Sequence, residues 1–314
     1  MIRGFPDAVH YSWDDVPGSE ECTLPEWEKA KVLNAWLLKT GKVTRDDIVL
    51  ADGFWSLGLE EVHRVISVCH GNWSHTTADD VRAGIASEFP FHHAAQVEQR
   101  RRHLVLGKKL VAVSDFIADQ MMLQWNFPSH VIDNGIDLRV FRPWDQRETF
   151  FDDPMILHMT TTANKGFDHI QAVYDEFHPK GFNVLSLDAA WERYHERFDN
   201  KYRLLASADL VVHPSRHEGN SYGVLETLAS GVPIVSYNVG LMYRAAIEHA
   251  PVGVVMDSRH RRPPVTVQGV RDMWEGRFGE SDPRGWVSRF SIDEFHRKWR
   301  EYLGEEFEYA SPQG

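Results

Sequence analysis

The chain is predicted to be an α/β protein of two Rossmann-like domains, each built on a parallel sheet. Three observations predict this. At 314 residues it exceeds the usual size of one domain, so separate cores or one large α/β unit are expected. Short runs rich in Val, Ile and Leu, suited to strands buried on both faces, alternate with helical patterns, and that order calls for parallel strands joined by crossover helices. The alternation lapses once, where prolines and charges gather in "RPWDQRETFFDDP" (142–154). That break sets an amino-terminal domain over 1–145 and a carboxy-terminal domain over 146–290, with 291–314 left as a terminal helix expected to pack back on the first domain. Two such domains facing one another make a cleft.

In the first half, "DIVLA" (47–51), "HRVISVCHG" (63–71) and "KLVAVS" (109–114) read as strands. The segment "LPEWEKAKVLNAWLLKTG" places Trp27, Val32, Leu33, Trp36 and Leu37 on one helical stripe, with Gly41 placed to end it. A second helix is expected through "AAQVEQRRRHLVLG". A third starts in "SDFIADQMMLQW", where Ser114 can cap the first turn and Asp115 favours the positive end of the helix dipole. In the second half the expected order is strand 155–160, helix 167–177, strand 182–187, helix 196–206, strand 209–214, helix 221–230, strand 232–237, helix 241–249 and strand 252–256.

Composition excludes several classes. No run approaches the roughly 20 apolar residues of a membrane helix. The start, "MIRGFPDAVHYSWDD", lacks the basic and apolar regions of a secretory leader, and Cys22 and Cys69 are too few for a disulfide framework, so a cytoplasmic protein is expected. The net charge of −12 is shared by both halves, which gives no support to a broad electrostatic hold on nucleic acid or anionic lipid.

Ligands of open parallel sheets bind beyond the carboxyl ends of the strands. The strand at 209–214 ends at Pro214, and Asn220 or Ser221 can cap a helix that Gly231 terminates. The amides around Ser221, Tyr222 and Gly223 then form a helix start that attracts phosphate. Glu218 in the loop and Glu226 on the helix are odd beside an anion, unless they serve paired hydroxyls, to which an ionised carboxylate offers two acceptors. Taken on spacing alone, both are equally solvated surface charges.

The stretch "EGNSYGVLETLASGVPIVSYNVG" (218–240) resembles the E-x7-E region of the retaining glycosyltransferases of family 4, which have the GT-B architecture of two facing Rossmann-like domains. "LVAVSDFIADQM", "VIDNGIDLRVFRP" and "ILHMTTTANKGFDHI" resemble further blocks of that family, in its order, so that the likeness spans roughly residues 46–256. The resemblance implies that Glu226 holds the ribose of a nucleoside-diphosphate sugar, that Glu218 sits at the transferred sugar, and that Lys165 in "ANKGF" neutralises the diphosphate. It implies that His70 in "SVCHGNW" lies near the donor sugar, although a histidine at a strand end also serves as a buried hydrogen-bonding residue. Trp55 and Trp73 follow neighbouring strands and suit either core packing or stacking on an acceptor sugar.

Two departures stand out. Where the family usually has a second cationic clamp six residues before the lysine, this chain has Met159, leaving Thr160, Thr161, Thr162 and Asn164, or Arg216, to compensate. The amino-terminal stretch offers only Gly4 in place of the family's glycine-rich loop. No D-x-D, HExxH, Cys/His ligand spacing, G-x-G-x-x-G after a strand or P-loop is present, so neither a metal nor a cofactor is expected. The run "EQRRRH" fans Arg100, Arg101 and Arg102 around a helix as a solvated face, or as a contact for a phosphate-bearing acceptor, lipid or DNA. The expected function is metal-independent, retaining transfer of a sugar to an acceptor hydroxyl. The alternatives are a hydroxymethylated DNA base as acceptor, or a non-catalytic descendant that binds nucleotide-sugar or glycan.

Overall fold

A computed structural model describes residues 8–21, 23–71, 90–106, 108–144, 152–159, 165–277 and 280–307. They divide into two units, one drawn from Met1–Ile132 and His296–Gly314, the other from Asp133–Phe295. Among the described residues no helix is long and apolar enough to cross a membrane.

The first unit comprises α1 (Glu26–Lys39), β1 (Ile48–Asp52), β2 (Arg64–Cys69), α2 (Pro90–Leu106), β3 (Lys109–Ala112), α3 (Asp115–Trp125) and β4 (His130–Val131). Its four strands run parallel in the order β1-β2-β3-β4. The two-residue β4 is too short to leave a periodic trace in the sequence. Ser114 caps α3 as expected, its hydroxyl accepting from the Ile117 amide at 3.4 Å.

The arginine run forms only part of the solvated face expected of it: Arg101 is exposed, but its neighbours are not free in water. Arg100 is 1 % exposed, with Nη2 3.1 Å from Cys69 Sγ, and Arg102 bridges Glu60 at 2.8 Å and Glu98 at 2.7 Å. Beside them Gln99 donates to the hydroxyls of Ser56 and Ser67 at 2.8 and 2.5 Å. This helix packs its polar stripe inward because the ends of β1 and β2 offer hydroxyl and carbonyl acceptors, which hydrophobic patterning does not register.

The second unit contains β5 (Met155–His158), α4 (Phe167–Phe177), β6 (Asn183–Ser186), α5 (Leu187–Tyr194), α6 (Lys201–Ala206), β7 (Leu210–His213), α7 (Tyr222–Ala229), β8 (Ile234–Tyr237), α8 (Leu241–Ile247), β9 (Gly253–Met256), α9 (Pro263–Trp274) and α10 (Pro283–Val287). A last helix, α11 (Ile292–Phe307), begins in this unit, and from His296 onward its residues group with the first. The helix expected near 196–206 is found as α6, and an unexpected helix, α5, precedes it. Ser186 is both the last residue of β6 and the cap of α5, accepting from the Ala189 amide at 3.0 Å, so no loop announces the new helix.

The five strands are parallel in the order β6-β5-β7-β8-β9. Alternate residues feed the two faces, as the period of a strand requires. Met155, Leu157, Val211 and Ile234 join one apolar cluster with Leu225 and Leu228 of α7. Ile156, Val212 and Val235 join another with Ile170 and Val173 of α4 and Val270 of α9. Each such side chain, fully buried, contributes roughly 1.5–3 kcal/mol.

Gly253 opens β9 at φ +126°, and a Cβ there would meet the Ile234 backbone, with its nitrogen 2.7 Å away. Gly253→Ala is therefore expected to cost at least ~3 kcal/mol of unfolding free energy. A urea titration checks it, and an unchanged midpoint contradicts the reading.

Candidate functional site

The strand order fixes where a site can form. From β5 the chain crosses to β6 on one side and then returns to β7 on the other, so the β5/β7 pair is the switch point of the sheet. Loops leaving the carboxyl ends of such a pair diverge and leave room for a ligand. The loop after β5 ends with Lys165, and the loop after β7 carries Glu218.

Two glycines let the loops close on each other. Gly166 caps α4 at φ +82°, and a Cβ there would lie 2.5 Å from the Pro214 carbonyl oxygen. Gly240, after β8, adopts φ +57° and ψ −129°, and its Cβ would lie 2.9 Å from Glu218 Cβ. Both positions are open only to glycine.

The result is a convergent charged cluster. Lys165 Nζ lies 2.5 Å from Glu218 Oε1 and 3.4 Å from the His217 carbonyl oxygen. Nε2 of His213, the last residue of β7, donates to the same Glu218 oxygen at 3.2 Å. The Glu218 side chain is 11 % exposed and that of His213 7 %. Burial alone would raise the Glu218 carboxyl. Hydrogen bonding and charge from His213, followed by charge and hydrogen bonding from Lys165, outweigh it and hold the group at about 2, against an ordinary 4.5.

At the start of α7, Ser221 occupies the cap position expected of it, but its side chain makes no capping bond. The amides of Tyr222, Gly223 and Val224 are left without a partner among the described residues, which is the arrangement an anion exploits. Asn220 is buried, and its carbonyl accepts from Asn134 Nδ2 at 2.9 Å, which ties the loop to the segment after β4. Next to Asn134, Asp133 receives Arg244 of α8 at 2.8 Å. A Cβ at Gly223 would overlap Met159 Sδ, so Met159 packs directly over the first turn of the helix. Tyr222 is half exposed, and burial of the rest of the ring pushes its hydroxyl pKa up. Further along α7, Glu226 is half-buried with no side-chain partner among the described residues, and burial raises its carboxyl.

Other sequence-predicted positions fall elsewhere. His70 belongs to the first unit, where Nε2 lies 3.5 Å from Asp52 Oδ1 at the end of the sheet. Trp55 is half-buried against Phe54 and the apolar residues around α1, so core packing accounts for it. Thr160, Thr161, Thr162, Asn164 and Trp73 lie outside the described residues. Arg216 turns to Asp168 in the first turn of α4, at 3.5 Å. His213 and Asn134 went unnoticed in the sequence. The signal for His213 is a lone polar residue closing the aliphatic strand "LVVH". Among the described residues no three His, Cys, Asp or Glu side chains gather as metal ligands.

The same topology recurs in solved structures. A sucrose-phosphate synthase from Thermosynechococcus elongatus superposes with a TM-score of 0.68 at 14 % identity, over 98 % of this chain and 88 % of that one. The fold is that of the GT-B glycosyltransferases. WaaG, a glycosyltransferase involved in lipopolysaccharide biosynthesis, gives a TM-score of 0.65 at 14 % identity, over 90 % of this chain and 84 % of its own. Anabaena HepE in complex with UDP-glucose gives 0.60 at 16 % identity, over 87 % and 82 %. Residues 185–266 match the family model described as "Glycosyl transferases group 1", a span that runs from inside β6 to the first turn of α9 and contains both Glu218 and Glu226. Among curated protein sequences, none matches the chain.

The Glu218 cluster has a measurable signature. Because its carboxyl is held below the unfolded value, the unfolded chain takes up the proton first as pH falls. The stability it contributes is complete above pH 4.5 and is lost as pH falls to about 2. Glu218→Gln is expected to flatten the acid limb of unfolding free energy against pH by roughly 3 kcal/mol over that window. Parallel limbs in the two proteins contradict the cluster.

Proposed function

We propose that the chain is a retaining glycosyltransferase of the family 4 type, moving a sugar from a nucleoside-diphosphate sugar to an acceptor hydroxyl without a metal ion. The observation that carries the proposal is the joining of three features at one end of one sheet. They are the ionised Glu218 beside Lys165, the uncapped start of α7, and the unpartnered Glu226 on that helix.

In this reading the amides of Tyr222, Gly223 and Val224 receive the diphosphate together with Lys165, whose charge offsets that developing on the leaving group. Glu226 accepts the ribose hydroxyls and Glu218 a hydroxyl of the sugar. The bond from the anomeric carbon to the diphosphate breaks as one forms to the acceptor oxygen, whose proton passes to the departing diphosphate. No side chain serves as nucleophile, so catalysis rests on positioning and charge. His70 is assigned to the sugar side. Thr161 and Asn164 are assigned to the donor contacts, Asn220 to shaping the loop that carries Glu218, and Trp73 to the acceptor side.

One observation favours a second reading. Met159 places a thioether over Gly223, where the family resemblance puts a cation, and this suits a protein that binds nucleotide-sugar without turning it over. A thermal-shift screen against UDP-, GDP-, ADP- and TDP-sugars, followed by a transfer assay, separates the readings. One donor is expected to raise the melting temperature and to be consumed. Binding without consumption selects the second reading, and no shift with any donor contradicts both.

Glu226→Ala is expected to weaken donor binding about tenfold, the loss of a charge-assisted hydrogen bond, whereas Lys165→Ala chiefly slows transfer. As the Glu226 carboxyl sits above its ordinary value, donor affinity in the parent protein should fall with acidification earlier than a free carboxylate would dictate. Calorimetric titrations at several pH values check this, and an affinity independent of pH in the acid range contradicts the role of Glu226.

A further inference from the structure

The geometry points to His213 as the positioning residue of the donor site, holding Glu218 by one oxygen so that the other faces the sugar once Lys165 turns to the diphosphate. The inference rests on the reading above and adds to it a residue that the family resemblance did not single out.

Both Lys165 and His213 converge on Oε1 of Glu218, and Oε2 has no partner among the described residues. In the free protein Lys165 is therefore occupied by the carboxylate. A diphosphate, carrying more charge than a carboxylate, would draw the flexible ammonium away. A buried carboxylate that loses its lysine and gains nothing would shift toward its neutral form and lose its orientation. His213 prevents this, because its backbone is fixed independently of the ligand and its ring is buried beside Glu218. Its residue closes β7 in register with β8, and its backbone oxygen accepts from Ser236 Oγ at 2.9 Å. An ionised carboxylate only accepts, so Nε2 carries the hydrogen of this bond. Nδ1 is buried without a partner among the described residues, so no second bond turns the ring away from Glu218.

Three variants test the assignment: His213→Gln, whose amide can donate from a similar place, His213→Phe, which fills the same volume without a donor, and Lys165→Met. Carbon-detected NMR titration of the Glu218 carboxyl needs no turnover. It should remain below its ordinary range in Lys165→Met and rise in His213→Phe measured with saturating uridine diphosphate. With the donor that the screen identifies, His213→Phe should lower kcat about 10- to 100-fold while its affinity for the nucleoside diphosphate stays near that of the parent, and His213→Gln should recover most of the loss. A His213→Phe variant that folds, binds the diphosphate and turns over at the parent rate overturns the inference and leaves the glycosyltransferase reading standing. A Glu218 carboxyl that returns to its ordinary range in Lys165→Met also overturns it. If the parent protein binds none of the nucleoside diphosphates tried, the functional reading fails, and the role of His213 fails with it.

Discussion

The reversal of strand order between β5 and β7 is the constraint on which the rest of this site depends. Two adjacent parallel strands whose connections leave on opposite sides cannot cover their own carboxyl ends. The gap is filled by a loop from each, and here those loops bring an ammonium and a carboxylate to 2.5 Å. Gly166, Gly240 and the Asn134 amide bring backbone and side chain near enough to hold the loops, with no regular element at the point of contact.

That arrangement sets the electrostatic character of the second unit. Desolvation acts against Glu218 and Glu226 alike, yet the outcomes diverge. Glu218 has two donors and stays ionised, while Glu226 has none and is pushed toward its neutral form. Carboxylates made unequal by their surroundings suit separate tasks, one fixed in charge and one ready to gain a partner. The uncapped start of α7 lies between them in the chain and supplies the opposite sign of potential.

Much of this was legible in the sequence. The aliphatic runs of the second half became β5 to β9 within a residue or two, because strands buried on both faces leave continuous apolar signals. The start of α7 stood out because Asn220 and Ser221 are good cap residues, whereas Glu218 and Lys165 stood out only through the family resemblance, since on pattern alone each reads as a surface charge. The pairing of Lys165 with Glu218 did not, since spacing along the chain says nothing about which loops meet across a switch point. His213 was hidden by its place inside a strand signal, and Arg100 by the assumption that a run of arginines seeks water, when its helix faces the polar ends of β1 and β2. The additional helix α5, ahead of the expected one, has no announcing signal because Ser186 does the work of a loop.

The central claim is that the first turn of α7 receives the diphosphate of a sugar donor. Backbone amide NMR of the isotope-labelled protein, titrated with uridine, guanosine, adenosine and thymidine diphosphates, tests it most directly. The account predicts that at least one of them shifts the amides of Tyr222, Gly223 and Val224 early and to saturation, along with signals of Lys165. A diphosphate that binds to saturation while leaving those amides unmoved, or a failure of all four to bind, would contradict it.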